Sequence, residues 1–135
     1  IGNTVFQLER WETELNSAIP GEVRDTASPA SMAHSLQQLL LGTSLPAPQR
    51  QLLDSWMRGN TTGDKRIRGG LPAGWAVADK TGSGAYGSVN DIGVAYPASG
   101  APLVIAVYYT REQKNAPTNQ DIISAATRIV AAALA

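Results

Sequence analysis

RWETELN, residues 10–16, and DKTGSG, residues 79–84, hold the side chains that could do chemistry. In the first, the Glu12 carboxylate and the Asn16 carboxamide can hold a water between them, the arrangement a general base needs. Glu14 stands beside them, and Arg10 and Asp25 bracket the loop as a potential bidentate pair that would close it. In the second, Lys80 with Thr81 and Ser83 makes a cationic, hydroxyl-rich edge able to hold a substrate carboxylate. Gly82 and Gly84 would let a ligand approach the backbone, and the Ser83 N–H could point at a developing oxyanion. A phosphate loop is the wrong reading, because its glycines precede the lysine and a helix follows it. Taken singly, each feature has a plain alternative. Glu12 and Glu14 read as solvated loop charges, Arg10 and Asp25 as a surface pair of little worth, and Lys80 as a lysine that protects an edge strand. Their joint occurrence raises the chemical reading.

The elements that must position these groups follow from periodicity. Residues 1–28 are irregular, with Pro20 and Gly21 marking a loop. Ser28-Pro29 predicts an N-cap and first helical position. Met32, Leu36, Leu39 and Leu40 then form the apolar stripe of a helix that Gly42 closes. A second helix is expected from Pro46 or Ala47 to Arg58, burying Leu52, Leu53, Trp56 and Met57 and stopping at Gly59. Residues 60–74 read as a polar connection with one helical turn at most. The period then changes to two. Trp75, Val77 and Asp79, then Ile92, Val94 and Tyr96, predict half-buried strands, and LVIAVYY at 103–109 a strand covered on both faces. Short loops favour an antiparallel meander. Thr118-x-x-Asp121 resembles a capping box opening a last helix through Ala133, with Ile122, Ala126, Ile129, Val130 and Leu134 as its stripe. Three strands and one long helix cover one sheet face well. The other needs the first two helices or a segment outside this chain.

Composition narrows the class. The 135 residues suit one compact domain or half of a larger one. Eleven basic and eleven acidic residues cancel, which gives no argument for a nucleic-acid partner. No apolar run approaches the roughly 20 residues of a membrane span. Cysteine is absent, so disulfides and thiolate metal sites are excluded. The single histidine, His34, has no metal-ligand set around it and reads as a solvated or capping residue. Trp11, Trp56 and Trp75 read as packing residues. No metal and no cofactor is expected. The start at Ile1, without methionine or a signal-peptide pattern, reads as a processing, cleavage or cloning boundary.

Three blocks in order, RWETELN-SAIPG-xx-RDT, GNTTGDKRIRGGLPAGW and DKTGSG, make the whole chain resemble the C-terminal half of a class A serine β-lactamase. The resemblance implies an α+β, penicillin-binding-like fold. Residues 1–72 would hold the Ω loop and part of the all-helical domain, and 73–135 the three antiparallel strands and C-terminal helix of the α/β domain. Glu12 matches the carboxylate that activates the deacylating water, and Asn16 its partner. Lys80 matches the cation that binds the β-lactam carboxylate and tunes a neighbouring serine. Thr81 and Ser83 match the hydroxyls on that carboxylate, with the Ser83 N–H as half of the oxyanion hole. Gly82 belongs to the same substrate-binding strand. Arg66 matches an auxiliary arginine of some subgroups, and Arg10 and Asp25 the pair that pins the Ω loop. The Glu12–Thr13 peptide resembles one that is cis in the family.

The family's nucleophile is a serine with lysine three residues later. None of the ten serines, Ser17 to Ser124, has that lysine. A Ser-Asp-Asn element is missing too; Ser88-Val-Asn90 is similar but differently placed. Both would lie in a complementary N-terminal half, and without an activated nucleophile this chain alone is expected to be inactive. Alone it would also expose core surface and tend to aggregate. The expected activity of the whole enzyme is β-lactam hydrolysis, giving antibiotic resistance in the periplasm or outside a bacterial cell. The rival readings are a D-Ala-D-Ala peptidase of the penicillin-binding group, a β-lactam sensor domain, and an inactive complementation fragment.

Overall fold

The computed structural model describes residues 1–134. Its sheet is an antiparallel meander: β1 (Ala76–Ser83), β2 (Val89–Tyr96) and β3 (Leu103–Tyr109), in that spatial order. Lys80 pairs with Ile92, and Ile92 with Ala106, so the three strands share one register across the middle. Around it lie α1 (Pro29–Leu36), α2 (Ala47–Arg58), the single turn α3 (Ile67–Gly70) and α4 (Asp121–Leu134). The expected α+β class, meander and helix order hold. None of the described helices is long and apolar enough to cross a membrane.

Both sheet faces are covered, and this changes the strand burial. On one face α3 and α4 pack Ile67 and Ile123 against Val77, Val89, Ala95 and Ile105. On the other, α1 and α2 bring Leu36, Leu40 and Met57 onto Ala78 and Val94. Each fully buried isoleucine or valine contributes roughly 1.5–3 kcal/mol. Val77, Ala78 and Asp79 are therefore buried in succession, where alternation predicted half-buried strands. β2, in the middle, is the most enclosed strand. β3, expected to be covered on both faces, buries only Ile105, because it lies at the sheet's edge.

The helices carry further corrections. Ser28 caps α1 as expected: its Oγ accepts from the Ser31 N–H at 3.1 Å. The helix then passes into a π-type turn at Gln37–Leu41, closed by the Gly42 N–H on the Gln37 carbonyl at 2.8 Å. In α2, Met57 is buried and Leu53 half-buried, but Leu52 and Trp56 (67% exposed) face outward. Trp11 is 87% exposed, so of the three tryptophans only Trp75 packs on a core. The buried stripe of α4 is Ile123, Thr127 and Ala131, one residue away from the expected one, and Ile129 stands 72% exposed. The cause is close approach: a Cβ on Gly70 would sit 2.6 Å from the Thr127 Cβ, so α3 admits only a tight, small-residue face of α4. The first turn of α4 is bonded through the Gln120 carbonyl, which accepts from the Ile123 N–H at 3.0 Å. The Thr118 capping box is not among the hydrogen bonds of the described residues.

Candidate active site

The 10–25 loop is fastened twice. Asp25 Oδ1 accepts from the backbone N–H groups of Glu9 at 2.5 Å and Arg10 at 3.0 Å, and its Oδ2 pairs with Arg10 Nε at 2.5 Å. These donors, the Glu9 amide first, hold the Asp25 carboxyl down at about 2. Inside the loop, Glu14–Ser17 makes a short 3₁₀ turn, and the Glu12–Thr13 peptide is cis. Across it Asn16 Nδ2 donates to Glu12 Oε2 at 2.6 Å. The expected carboxylate–carboxamide pair therefore forms, on an exposed surface of the loop.

The loop docks on the end of β1. The Ala85 N–H donates to the Asn16 carbonyl at 3.0 Å. Gly84 permits this, since a Cβ there would lie 2.8 Å from the same carbonyl oxygen. That corrects the reading of Gly84 as a point of ligand approach: its missing side chain makes room for the loop. Gly82 is different, because a Cβ there would meet only Asn90 side-chain atoms at ordinary contact distance.

On β1, the Lys80 Nζ donates to the Thr81 carbonyl at 2.6 Å and lies on the exposed edge. Arg66 lies beneath the strand, 5% exposed. Its Nη1 donates to the carbonyls of Gly82 at 2.6 Å and Asn90 at 2.7 Å, its Nη2 to Ser83 Oγ at 2.8 Å, and its Nε to Gln120 Oε1 at 3.1 Å. A guanidinium has five N–H groups, so one remains. The position expected to bind substrate is chiefly a fastener of β1, β2 and the approach to α4. Burial lowers the pKa of Arg66 from its usual range.

A polar network that sequence reasoning missed supports Thr81. The Asp79 carboxylate, wholly buried, accepts from Asn60 Nδ2 at 2.5 Å and from Arg68 Nη2 at 2.7 Å. Asn60 Oδ1 accepts from the Thr62 hydroxyl at 2.8 Å, and the Thr62 Oγ1 meets the Thr81 Oγ1 at 2.5 Å. With the Thr62 proton on Asn60, the Thr81 hydroxyl is left to donate toward Thr62. Nearby, Asp91 accepts the Ile67 N–H at 3.0 Å while its other oxygen, also buried, has no partner. Burial raises the pKa of both acids, that of Asp91 to about 7. The one signal available in the sequence was an aspartate on an otherwise apolar strand at 75–79. Asn60 and Thr62 gave none, since they reach β1 only through the fold.

One cavity of about 480 Å³ joins the two stretches: Asn16, Arg10 and Asp25 line it from the loop, and Gly82 and Ser83 from β1. Glu12, Lys80, Thr81 and Arg66 lie outside its lining. The cavity thus has the Asn16 of the acid–amide pair on its loop side and the hydroxyl-bearing Ser83 on its β1 side, with Glu12 and Lys80 beyond its lining.

A sequence model of the beta-lactamase enzyme family matches residues 2–134. The carbapenem-hydrolyzing beta-lactamase KPC of Klebsiella oxytoca is 53% identical over 130 residues, 96% of this chain and 44% of that protein. Beta-lactamase CTX-M-6 of Salmonella typhimurium is 49% identical over 130 residues, 96% of this chain and 45% of that protein. The crystal structure of a beta-lactamase from Desulfarculus baarsii DSM 2075 superposes with a TM-score of 0.96 at 54% identity, over 98% of this chain and 50% of that one. The chain thus spans about half the length of the relatives it matches.

Proposed function

The chain belongs to the β-lactamase enzyme family, and on that premise we propose that it is the C-terminal part of a class A serine enzyme that hydrolyses the β-lactam amide bond. The reaction runs in two steps. A serine supplied by a complementary N-terminal half, bearing Ser-x-x-Lys and Ser-Asp-Asn, attacks the lactam carbonyl and the C–N bond breaks. Water then cleaves the resulting ester. Glu12 accepts the proton of that water, with Asn16 holding the water beside it. The Ser83 N–H supports the carbonyl oxygen as charge develops on it. Lys80, Thr81 and Ser83 hold the β-lactam carboxylate, while Arg66 fixes the strand that carries them. Arg10 and Asp25 pin the Ω loop. A β-lactam antibiotic is the substrate, and the enzyme acts in the bacterial periplasm or outside the cell. A boundary at residues 72/73, dividing the helical from the α/β part, belongs to the same proposal.

The observation that carries this reading is the Asn16–Glu12 bond on a loop whose Asn16 carbonyl is fastened to Ala85, two residues beyond Ser83. It disfavours a D-Ala-D-Ala peptidase or a sensor, which would have no use for a water-activating carboxylate. The test mixes this chain with the complementary half and follows a chromogenic cephalosporin. Turnover is expected. Glu12→Ala should keep the acylation burst and slow deacylation by about 10²–10⁴-fold, the usual range for a lost general base. A single stoichiometric burst from the unaltered pair sinks the hydrolase in favour of the sensor or peptidase.

A further inference from the structure

The hydroxyls of Thr81 and Ser83 stand on one strand, yet the bonds beneath them give the two groups opposite polarity. The order starts at the buried Asp79, whose Oδ2 accepts from Asn60 Nδ2 at 2.5 Å and whose Oδ1 accepts from Arg68 Nη2 at 2.7 Å. A flipped Asn60 amide would set its oxygen against that carboxylate. It would also set its NH2 against the Thr62 N–H, which donates to Asn60 Oδ1 at 3.1 Å. Asn60 Oδ1 is therefore an acceptor, and the Thr62 hydroxyl, 2.8 Å away, donates to it. A hydroxyl has a single proton, so Thr62 has only lone pairs left for Thr81. Across the 2.5 Å contact between the two hydroxyls, Thr81 is the donor. Ser83 is the reverse case: its Oγ accepts from Arg66 Nη2 at 2.8 Å, a bond that does not use its own proton. Lys80 Nζ spends one N–H on the Thr81 carbonyl at 2.6 Å, and an ammonium carries two more.

We propose that Thr62 sets the affinity of the site for the β-lactam carboxylate, by competing with it for the single proton of Thr81. The proposal rests on the carboxylate-binding role given above to Lys80, Thr81 and Ser83. An ionised carboxylate accepts hydrogen bonds and donates none. Lys80 and Ser83 can meet it as they stand, whereas Thr81 must first turn its proton away from Thr62. Until it does, Thr81 offers an anion nothing but lone pairs. Thr62 acts through Thr81 and is a positioning residue, at an exposed place on the connection between α2 and α3. Thr62→Val keeps the branched shape of the side chain and removes the competing oxygen. Asn60 Oδ1 keeps its bond from the backbone N–H of the same position. The freed Thr81 proton can then point at the carboxylate, so the substitution tightens binding. The sign sets this role apart, because truncating a residue that merely braced the strand would weaken binding.

The test assembles the 135-residue chain with the complementary half and compares a chromogenic cephalosporin bearing a free carboxylate with its methyl ester. The concentration that half-saturates the acylation burst reads affinity, and the limiting burst rate reads chemistry. Thr62→Val should lower the half-saturating concentration of the acid by about five- to tenfold, the order expected when a hydrogen bond to a charged acceptor replaces one between hydroxyls. The limiting rate should not change. The ester, which carries no anion, should show no gain, and Thr62→Ser, which keeps the oxygen, should match the unaltered chain. In a Thr81→Val background, Thr62→Val should have no further effect. An unchanged or raised half-saturation for the acid, an equal fall for the ester, a gain with Thr62→Ser, or a gain that survives Thr81→Val would each overturn the proposal. Should the unaltered pair bind the acid without hydrolysing it, the hydrolase reading falls, and equilibrium binding of acid and ester to the same variants decides the role of Thr62. Turnover with no gain in affinity does the reverse, and an unaltered pair that does not bind the acid removes both.

Discussion

Asn16 and Ala85, far apart in the sequence, are joined by a single main-chain hydrogen bond of 3.0 Å, and through it the loop bearing Glu12 is set against the strand bearing Lys80 and Ser83. Neither side chain takes part. The juxtaposition depends on the absence of one at Gly84, between the two attachment points.

Gly84→Ala follows directly. Its Cβ would press on the Asn16 carbonyl at 2.8 Å and the Ala18 Cβ at 3.2 Å, and the first of these is backbone that cannot rotate away. The loop should lift and carry Glu12 out of position. In the assembled enzyme, deacylation is expected to slow by about tenfold, or ~1.4 kcal/mol. Pre-steady-state kinetics checks this: acylation should change less than deacylation, and equal losses in both would contradict it.

Arg66→Lys tests whether the guanidinium fork matters. Lysine is a compact charge that cannot reach four acceptors held by a planar group. Losing donors at the Gly82 and Asn90 carbonyls should destabilise the chain by about 2 kcal/mol. Urea unfolding reads the loss. An unchanged midpoint would show that Arg66 does not fasten β1 to β2.

Asp91 gives a pH dependence. Burial raises its carboxyl from 3.8 to about 7 in the fold. Between those values the folded chain keeps a proton that the unfolded chain has released, so this group lowers stability as pH rises across the window. Asp91→Asn removes that slope. The urea midpoint of the variant minus that of the unaltered chain should grow from about pH 4 to about pH 7 and then level off. A constant difference would mean that Asp91 is ionised throughout.

Asp25 works with the opposite sign. Its carboxyl falls from 3.8 to about 2 in the fold, so its contribution is complete above 3.8 and disappears as pH drops through 2. The Glu9 and Arg10 amides, both bonded to Asp25, are the reporters. Their exchange protection should persist down to about pH 3 and vanish below about pH 2, and Asp25→Asn should reduce it at every pH above about 3. Protection that survives the substitution would place the loop's anchor elsewhere.

The sequence by itself determined the elements and the chemical groups. Ser28-Pro29 begins α1, Gly59 ends α2, three β-rich runs make the meander, and RWETELN and DKTGSG supply the carboxylate, amide, ammonium and hydroxyls. These are local matters, because capping, periodicity and residue type act within a few positions along the chain. Tertiary structure decided what each element faces. Leu52, Trp56 and Ile129 look like core residues from their apolar spacing alone, yet they point outward, while Thr127 is buried because Gly70 brings α3 close. The Asn60–Asp79–Arg68 network, the fourfold bonding of Arg66 and the docking of Asn16 on Ala85 were equally out of reach of pattern reading. A hydrogen bond or a close packing contact depends on a few tenths of an ångström between groups whose separation along the chain carries no periodic signal, and only the folded arrangement fixes that distance.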